Sequence, residues 1–197
     1  MTTEQANHRP THDFSSLQLK QLKLVWQWRN SPRIRGFMHN AQAVSWQEHL
    51  TWFDSLQADE TREFYVLWQN MRPIGVLNFS AMETSSPEWG CYLGEINVWP
   101  GSGIILELAA LDYIAANHEF THLLAQVLSF NKAANKLHKV FEYEHVATEP
   151  DGERNGMDFE VLHYRYELSL WRQRRQQVLD RLPKQMQLVA DNIQFLE

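Results

Sequence analysis

Pro100-Gly101-Ser102-Gly103 stands between two apolar runs, Trp89 to Val98 and Ile104 to Ala116. The first has the length and character of a strand and the second those of a helix, so the glycines fall at a strand-to-helix junction. Glycine there lets backbone N–H groups approach a ligand closely, and the helix start adds a partial positive charge suited to phosphate. The chemistry this suits is the holding of a diphosphate by Gly101, Ser102, Gly103 and Ile104. No Gly-Lys-Ser/Thr follows, which excludes a P-loop, and the three-glycine spacing of dinucleotide sites is missing. Taken alone, such a junction reads as an ordinary tight turn. A second candidate segment, Asn131 to Phe141, follows another apolar strand and carries His138, a group that titrates near neutral pH. Taken alone, His138 is a helix histidine without a role. Cys91 is the single cysteine. That leaves no intramolecular disulfide and no cysteine-based zinc site, and it suits a reducing compartment; its simplest reading is a small buried hydrophobe.

These residues need a scaffold, and 197 residues with 44% hydrophobic and 12% aromatic content suffice for one α/β domain with a real core. The net charge of -6 argues against general affinity for nucleic acid. Arg172, Arg174 and Arg175 form a basic cluster that reads as a solvated helix face. Met1 to Thr11 lacks a basic segment followed by an apolar run, and no window approaches the roughly 18 apolar residues of a membrane span. A soluble, cytoplasmic protein is therefore expected.

Along the chain, Leu22, Leu24, Val25 and Trp28 recur at helical spacing in a helix from Leu19 to Trp28, ended by Ser31-Pro32. Ser45 followed by Glu48 forms a capping box that opens a second helix with Trp46, Leu50, Phe53 and Leu56. Phe64 to Trp68 and Ile74 to Phe79 read as a hairpin, and Trp89 to Val98 as a third strand. The helix from Ile104, a strand from Leu123 to Leu128, a helix from Lys132 to Phe141 and a strand from Tyr143 to Ala147 follow. Turn residues from Glu149 to Gly156 lead into a last strand, Phe159 to Leu168, and the tail from Trp171 to Glu197 reads as helical, kinked near Pro183.

This order, with a glycine-bearing loop before a long helix and an Asn-led helix after the next strand, resembles the GCN5-related N-acetyltransferases. Asn131, Ala134, Leu137, His138 and Phe141 fall on that family's pattern, and the resemblance covers Asp13 to Leu168. It departs at Val98, where the family has a basic residue or glutamine three positions before the first glycine, leaving backbone donors and Ser102 to hold the diphosphate. The resemblance implies an α/β (α+β mixed) fold, with a mixed, mostly antiparallel sheet whose central strands splay, flanked by helices. Residues 1–168 would form the acetyltransferase domain, and 169–197 a helical extension packed on it or on a partner subunit, as in a homodimer. Acetyl-CoA would be the co-substrate, with no metal.

Acetyl transfer needs a neutral amine near the thioester carbonyl, donors for the developing oxyanion and a proton for the departing sulfur. By the resemblance, the strand around Gly94-Glu95-Ile96 splays from its neighbour and presents a free N–H to the carbonyl oxygen. Glu95, Ile96, Gly101, Ser102, Gly103, Ile104, Asn131 and Ala134 would then line the cofactor. His138 occupies the place of the family's usual tyrosine acid. Arg29, His49, Tyr92 and Met38, with Phe37 beside it, would meet the acceptor, and His49 and Tyr92 would be close enough to take part in proton transfer. Read without the resemblance, Arg29 is a helix C-terminal cation, His49 an ordinary helix residue and Tyr92 a core aromatic. Glu95 is disfavoured as a base because alternation puts it on the face opposite Tyr92. Asp13-Phe14, Trp28-Arg29-Asn30-Ser31-Pro32, Glu48-His49-Leu50 and Gly90-Cys91-Tyr92-Leu93-Gly94 are similar to the UDP-4-amino-sugar acetyltransferases of pseudaminic acid biosynthesis, which implies a UDP-sugar acceptor. Ribosomal-protein acetyltransferases share some of these signatures, so protein acetylation is the alternative. Val98 and His138 also leave open a non-catalytic acyl-CoA-binding protein.

Overall fold

The computed structural model describes residues 10–196; most of the Met1 to Thr11 stretch and the final Glu197 lie outside the described residues. The chain begins with β1 (His12–Ser16), α1 (Leu19–Asn30) and a short α2 (Pro32–Arg35). There follow α3 (Trp46–Gln57), β2 (Glu63–Gln69), β3 (Arg72–Ser80), β4 (Glu88–Leu93) and α4 (Ser102–Ala116). The second half holds β5 (His122–Leu128), α5 (Lys132–Val140), β6 (Glu144–Arg154), β7 (Met157–Glu167), α6 (Leu168–Asp180), α7 (Lys184–Ala190) and β8 (Ile193–Leu196). The strands form one mixed sheet in the order β6-β7-β5-β4-β3-β2-β1-β8. Among them β4–β5 and β1–β8 are parallel and the remaining pairs antiparallel.

Alternation along the strands sorts the core into two layers. Tyr65, Leu67, Leu77 and Phe79 face α4, whereas Val66 and Val76 face Leu22, Val25 and Trp28 of α1 and Phe53 and Leu56 of α3. Helix α4 is apolar nearly all round and is buried accordingly, with Ile105, Leu108 and Leu111 inaccessible. The capping box of α3 is formed: the Ser45 hydroxyl accepts from the Glu48 amide at 3.2 Å and the Glu48 carboxylate from the Ser45 amide at 2.7 Å.

Several boundaries differ from the sequence reading. The third strand ends at Leu93 rather than Val98, because Gly94 and Glu95 both donate to the Ile74 carbonyl, at 2.8 and 3.0 Å, and the ladder stops there. β1 is missing from that reading; only His12 and Phe14 of its five residues point inward, too short an alternation to stand out. β6 continues through Glu149 to Arg154, because bulges absorb the turn residues around Pro150 and Gly152. The tail closes with β8, which extends the sheet beside β1. Arg172 and Arg174 lie on an exposed helix face as expected, although Arg172 also donates to the Ala115 and Asn117 carbonyls; Arg175 departs from that reading, being half-buried and gripping Asp112 at 2.7 and 2.8 Å. Trp171, Val178, Leu179, Met186 and Val189 complete the core over α4, each large side chain contributing about 1.5–3 kcal/mol by burial.

What matters most for function is where the sheet opens. β4 and β5 pair only at Glu88/Leu124 and Trp89/Ala125; beyond that point they diverge, leaving a cleft in the middle of the sheet.

Candidate active site

The cleft is a cavity of about 630 Å³ lined from both faces of the sheet, within the range of small-molecule sites. Its central wall is β4. Because the Gly94 amide points across to β3, alternation sends the main-chain groups of Cys91 and Leu93 the other way, toward the gap left by β5. The free amides of this strand therefore belong to Cys91 and Leu93, and the expectation of one within Gly94-Glu95-Ile96 is corrected for Gly94 and Glu95. The pair of hydrogen bonds accepted by the Ile74 carbonyl also resets the alternation. Glu95 turns to the α1 side, the side of Tyr92, and accepts from the Trp28 indole at 2.9 Å, so the opposite-face reading is corrected too. Gly94 must be glycine, since a Cβ there would lie 2.0 Å from the Trp28 ring. Arg33 locks the same point by donating to the Gly94 carbonyl at 2.6 Å.

On the α4–α5 side, the cleft reaches a histidine and a carboxylate that sequence reasoning did not connect. His138 is 4% exposed and its Nδ1 lies 3.0 Å from Oε1 of Glu107, itself 1% exposed. The rings of Tyr143, Tyr164 and Trp89 surround the imidazole, with centroids 4.6, 5.0 and 5.8 Å away. The Tyr143 hydroxyl has no hydrogen bond of good geometry, but it lies close enough to Glu107 that the carboxylate's charge adds to burial in raising its pKa. Cys91 also borders this end. It is not the buried hydrophobe expected: its thiol is accessible from the cleft while protein encloses it from outside, and burial, followed by the charge of Glu107, pushes its pKa up. Glu107 was missed although its signal was present, as one carboxylate inside the apolar run Ile104 to Ala110.

On the other side, α1, α3 and the loop between them supply Arg29, His49, Trp52 and Met38, which face Tyr92 across the cavity. The Trp28-Arg29-Asn30 run explains itself here. Trp28 reaches Glu95, Asn30 clamps Val44 through two hydrogen bonds, and Arg29 turns to the cleft. Arg29 Nη2 donates to the Asn40 carbonyl at 2.7 Å, while Nη1 is buried without a partner. An unpaired buried donor costs about 1–3 kcal/mol, a deficit that an anionic ligand would remove. Burial lowers the Arg29 pKa and the nearby Tyr92 opposes that; burial also raises Tyr92, keeping it a neutral phenol. His49 is 4% exposed, bonds the Leu22 carbonyl through Nε2 at 3.2 Å and stacks on Trp52 with ring centroids 4.9 Å apart. Burial lowers its pKa, so it is neutral and Nδ1 is its acceptor atom. From β6, Arg154 donates to the Gly36, Met38 and His39 carbonyls and lies over the Phe159 ring at 4.7 Å. The loop bearing Phe37 and Met38 is thus held by arginines from both sides.

Gly101, Ser102, Gly103, Ile104, Glu95 and Ile96 lie outside this cavity lining, at the end of the β4 wall. Gly101 has φ +115° and caps α4, with Met186 packed against it. Ser102 is corrected as a side-chain donor to phosphate: it is 1% exposed, and its hydroxyl donates to the Trp99 carbonyl and accepts from Gln69. Gln69 links further to the Trp99 amide and to His12, whose pKa burial lowers to about 4. What remains for a diphosphate is backbone: the Gly101 and Gly103 amides lack a protein acceptor, and the space at Gly103 is open. Ile96 is 73% exposed beside this loop. Asn131 and Ala134 line the cavity, Asn131 using its side-chain oxygen to cap α5 on the Ala134 amide at 3.3 Å. A glycine-lined helix start and a split sheet with unpaired strand amides fit a long thioester carrying a diphosphate.

No protein-family model matches the chain. Two curated relatives, each called Acetyltransferase PseH and from two strains of Campylobacter jejuni, are 31% and 30% identical over 127 residues, covering 64% of this chain and 79% of theirs. Among solved structures, spermidine N-acetyltransferase from Vibrio cholerae in complex with CoA and spermine superposes with a TM-score of 0.71 at 17% identity, covering 83% of this chain and 98% of that one. RimL, a ribosomal L7/L12 alpha-N-protein acetyltransferase in complex with coenzyme A, gives 0.69 at 17% identity, covering 80% and 94%.

Proposed function

Since the chain belongs to the GCN5-related N-acetyltransferases, we propose that it uses acetyl-CoA to acetylate the amino group of a nucleotide-linked amino sugar, a UDP-4-amino-sugar in particular. The observation that carries this reading is Arg29. A guanidinium with one nitrogen buried and unpaired, beside a neutral Tyr92 and the His49–Trp52 stack, suits an acceptor that is anionic at one end and flat at the other, as a nucleoside diphosphate is. The relatives called Acetyltransferase PseH support acetyl transfer as the reaction.

Bound acetyl-CoA supplies a thioester-activated acetyl group. The Gly101 and Gly103 amides and the α4 N-terminus would hold its diphosphate, and Asn131 and Ala134 would border its path. The Cys91 and Leu93 amides would serve the carbonyl oxygen as charge develops there. His138 would give the departing sulfur its proton from Nε2, the nitrogen not engaged with Glu107. Arg29, Met38, His49 and Tyr92 would bind the acceptor. Tyr92 acts there as a hydrogen-bond donor, since burial keeps its hydroxyl protonated. Glu95, tied to Trp28, positions the wall rather than the chemistry.

The test is thiol release from acetyl-CoA with UDP-4-amino-sugars, N-terminal peptides and polyamines as acceptors, with the product identified by mass spectrometry. Release confined to the nucleotide sugars supports the reading. Release with peptides alone moves the acceptor to protein, and CoA binding without release to any amine moves the chain to a non-catalytic acyl-CoA-binding role.

A further inference from the structure

We propose that Glu107 is a positioning residue that fixes the proton on Nδ1 of His138, so that Nε2 is the nitrogen that serves the cleft. The proposal deepens the acetyl-transfer reading, and its kinetic arm rests on that reading.

A carboxylate in the middle of a helix that is apolar nearly all round is a poor choice for stability. An ion pair removed from water is often no better than a well-packed apolar pair of the same volume. Glu107 is nonetheless there, 1% exposed, and among the described residues its hydrogen bond is to Nδ1 of His138 at 3.0 Å. An ionised carboxylate accepts and never donates, so the proton between them belongs to Nδ1. The same logic orients a histidine in catalytic triads. The imidazole plane is fixed by the Tyr143, Tyr164 and Trp89 rings. The other titratable groups facing the pair are Tyr143 after α5, Tyr164 on β7 and Cys91 on β4, and burial raises the pKa of each, which keeps all three uncharged. Glu107 is therefore the charge that orders this end of the cleft. His138 and Cys91 line the same cavity as Glu107, so the ordered histidine looks onto the place where β4 leaves β5.

The proton balance is simple. As the acceptor nitrogen bonds to the carbonyl carbon, the proton it sheds passes through water to Nε2, which carries no hydrogen in the resting Nδ1–H ring. As the carbon–sulfur bond breaks, Nε2–H gives that proton to the sulfur, and the ring returns to its Nδ1–H form.

Two measurements test this. Long-range proton–nitrogen NMR correlations on nitrogen-labelled protein report which imidazole nitrogen of His138 carries hydrogen. We expect Nδ1 to be protonated in the native protein. In Glu107→Gln the amide donates to Nδ1 and moves the proton of the neutral ring to Nε2. In parallel, kcat is measured for the native enzyme, Glu107→Gln, His138→Gln and the double variant with an accepted amine. Glu107→Gln should lower kcat about 10- to 100-fold while leaving KM for both substrates within about 3-fold, and should cost almost nothing once His138 is gone. A native His138 whose neutral ring carries hydrogen on Nε2 overturns the proposal whether or not the variant folds. So does an equal kcat loss in both backgrounds. If no amine reacts, the acetyl-transfer reading fails, while the nitrogen shifts still decide the proposal.

Discussion

At the glycine-loop end of the cleft Ser102, Glu95 and Asn131 are already engaged with protein, whereas at the α1–α3 end Arg29 and His49 retain atoms without partners. Ser102 is bonded to Trp99 and Gln69, Glu95 to Trp28 and Asn131 to its own helix, so the cofactor end offers main-chain amides and a glycine-lined opening. Arg29 keeps an unpaired Nη1, Tyr92 an intact hydroxyl and His49 a free Nδ1 beside a tryptophan. The difference separates two kinds of recognition. A backbone site can hold one constant ligand through changes of sequence, while a side-chain site discriminates between acceptors and can be redirected by single substitutions.

The comparison is tested most severely by Arg29→Met. It should raise the acceptor KM about 10- to 100-fold, the loss of a charge-assisted hydrogen bond of about 1.5–3 kcal/mol, with the KM for acetyl-CoA within about 2-fold. Steady-state kinetics with each substrate varied in turn checks it, and a rise in both KM values would break the separation. Gly101→Ala should act on the opposite substrate. Its φ of +115° and the nearby Met186 methyl, 1.7 Å from the added Cβ, introduce about 1–3 kcal/mol of strain. The KM for acetyl-CoA should rise about 10-fold while that for the acceptor holds.

Acid should loosen the cofactor end through His12. His12 has its pKa lowered by burial to about 4 from an ordinary 6.5, so the unfolded chain binds the extra proton more readily. The stability tied to neutral His12 is complete above pH 6.5 and is lost as the pH falls toward 4, by at most about 3 kcal/mol. Denaturant unfolding at a series of pH values should show this slope, and His12→Gln should flatten it. The smallest effect is expected from Ser102→Ala. It removes a hydroxyl that faces inward, so stability should drop by about 1 kcal/mol and the KM for acetyl-CoA should change less than about 3-fold. A large rise would return Ser102 to the phosphate site.

Two kinds of feature in this molecule were unequally legible in the sequence. The capping box of Ser45 and Glu48, the helix periodicity of α1 and the glycines before α4 are local, and each states its structure within a few residues. The places where Arg29, His49, Met38 and Tyr92 converge followed from the resemblance, because nothing local brings α1, α3 and β4 together. The fate of Ser102 and Glu95 was hidden, since it depends on Gln69 and Trp28, which lie 33 and 67 positions away. Glu107 shows a third case. Its oddity was written in the apolar run around it, but its meaning required His138 from another helix. β1 and β8 escaped because strands of five and four residues carry too little pattern to distinguish them from loop or helix end.

The central claim is that the acceptor end reads a nucleotide-linked amino sugar. It is tested most directly by comparing kcat/KM for a UDP-4-amino-sugar with that for the same amino sugar lacking the nucleotide, in the native enzyme and in Arg29→Met. The account predicts a preference of at least about 100-fold for the nucleotide-linked form, on the order of 3 kcal/mol, that shrinks by about 10-fold or more in the variant. Equal kcat/KM for the two acceptors, or a preference that Arg29→Met leaves untouched, would contradict it.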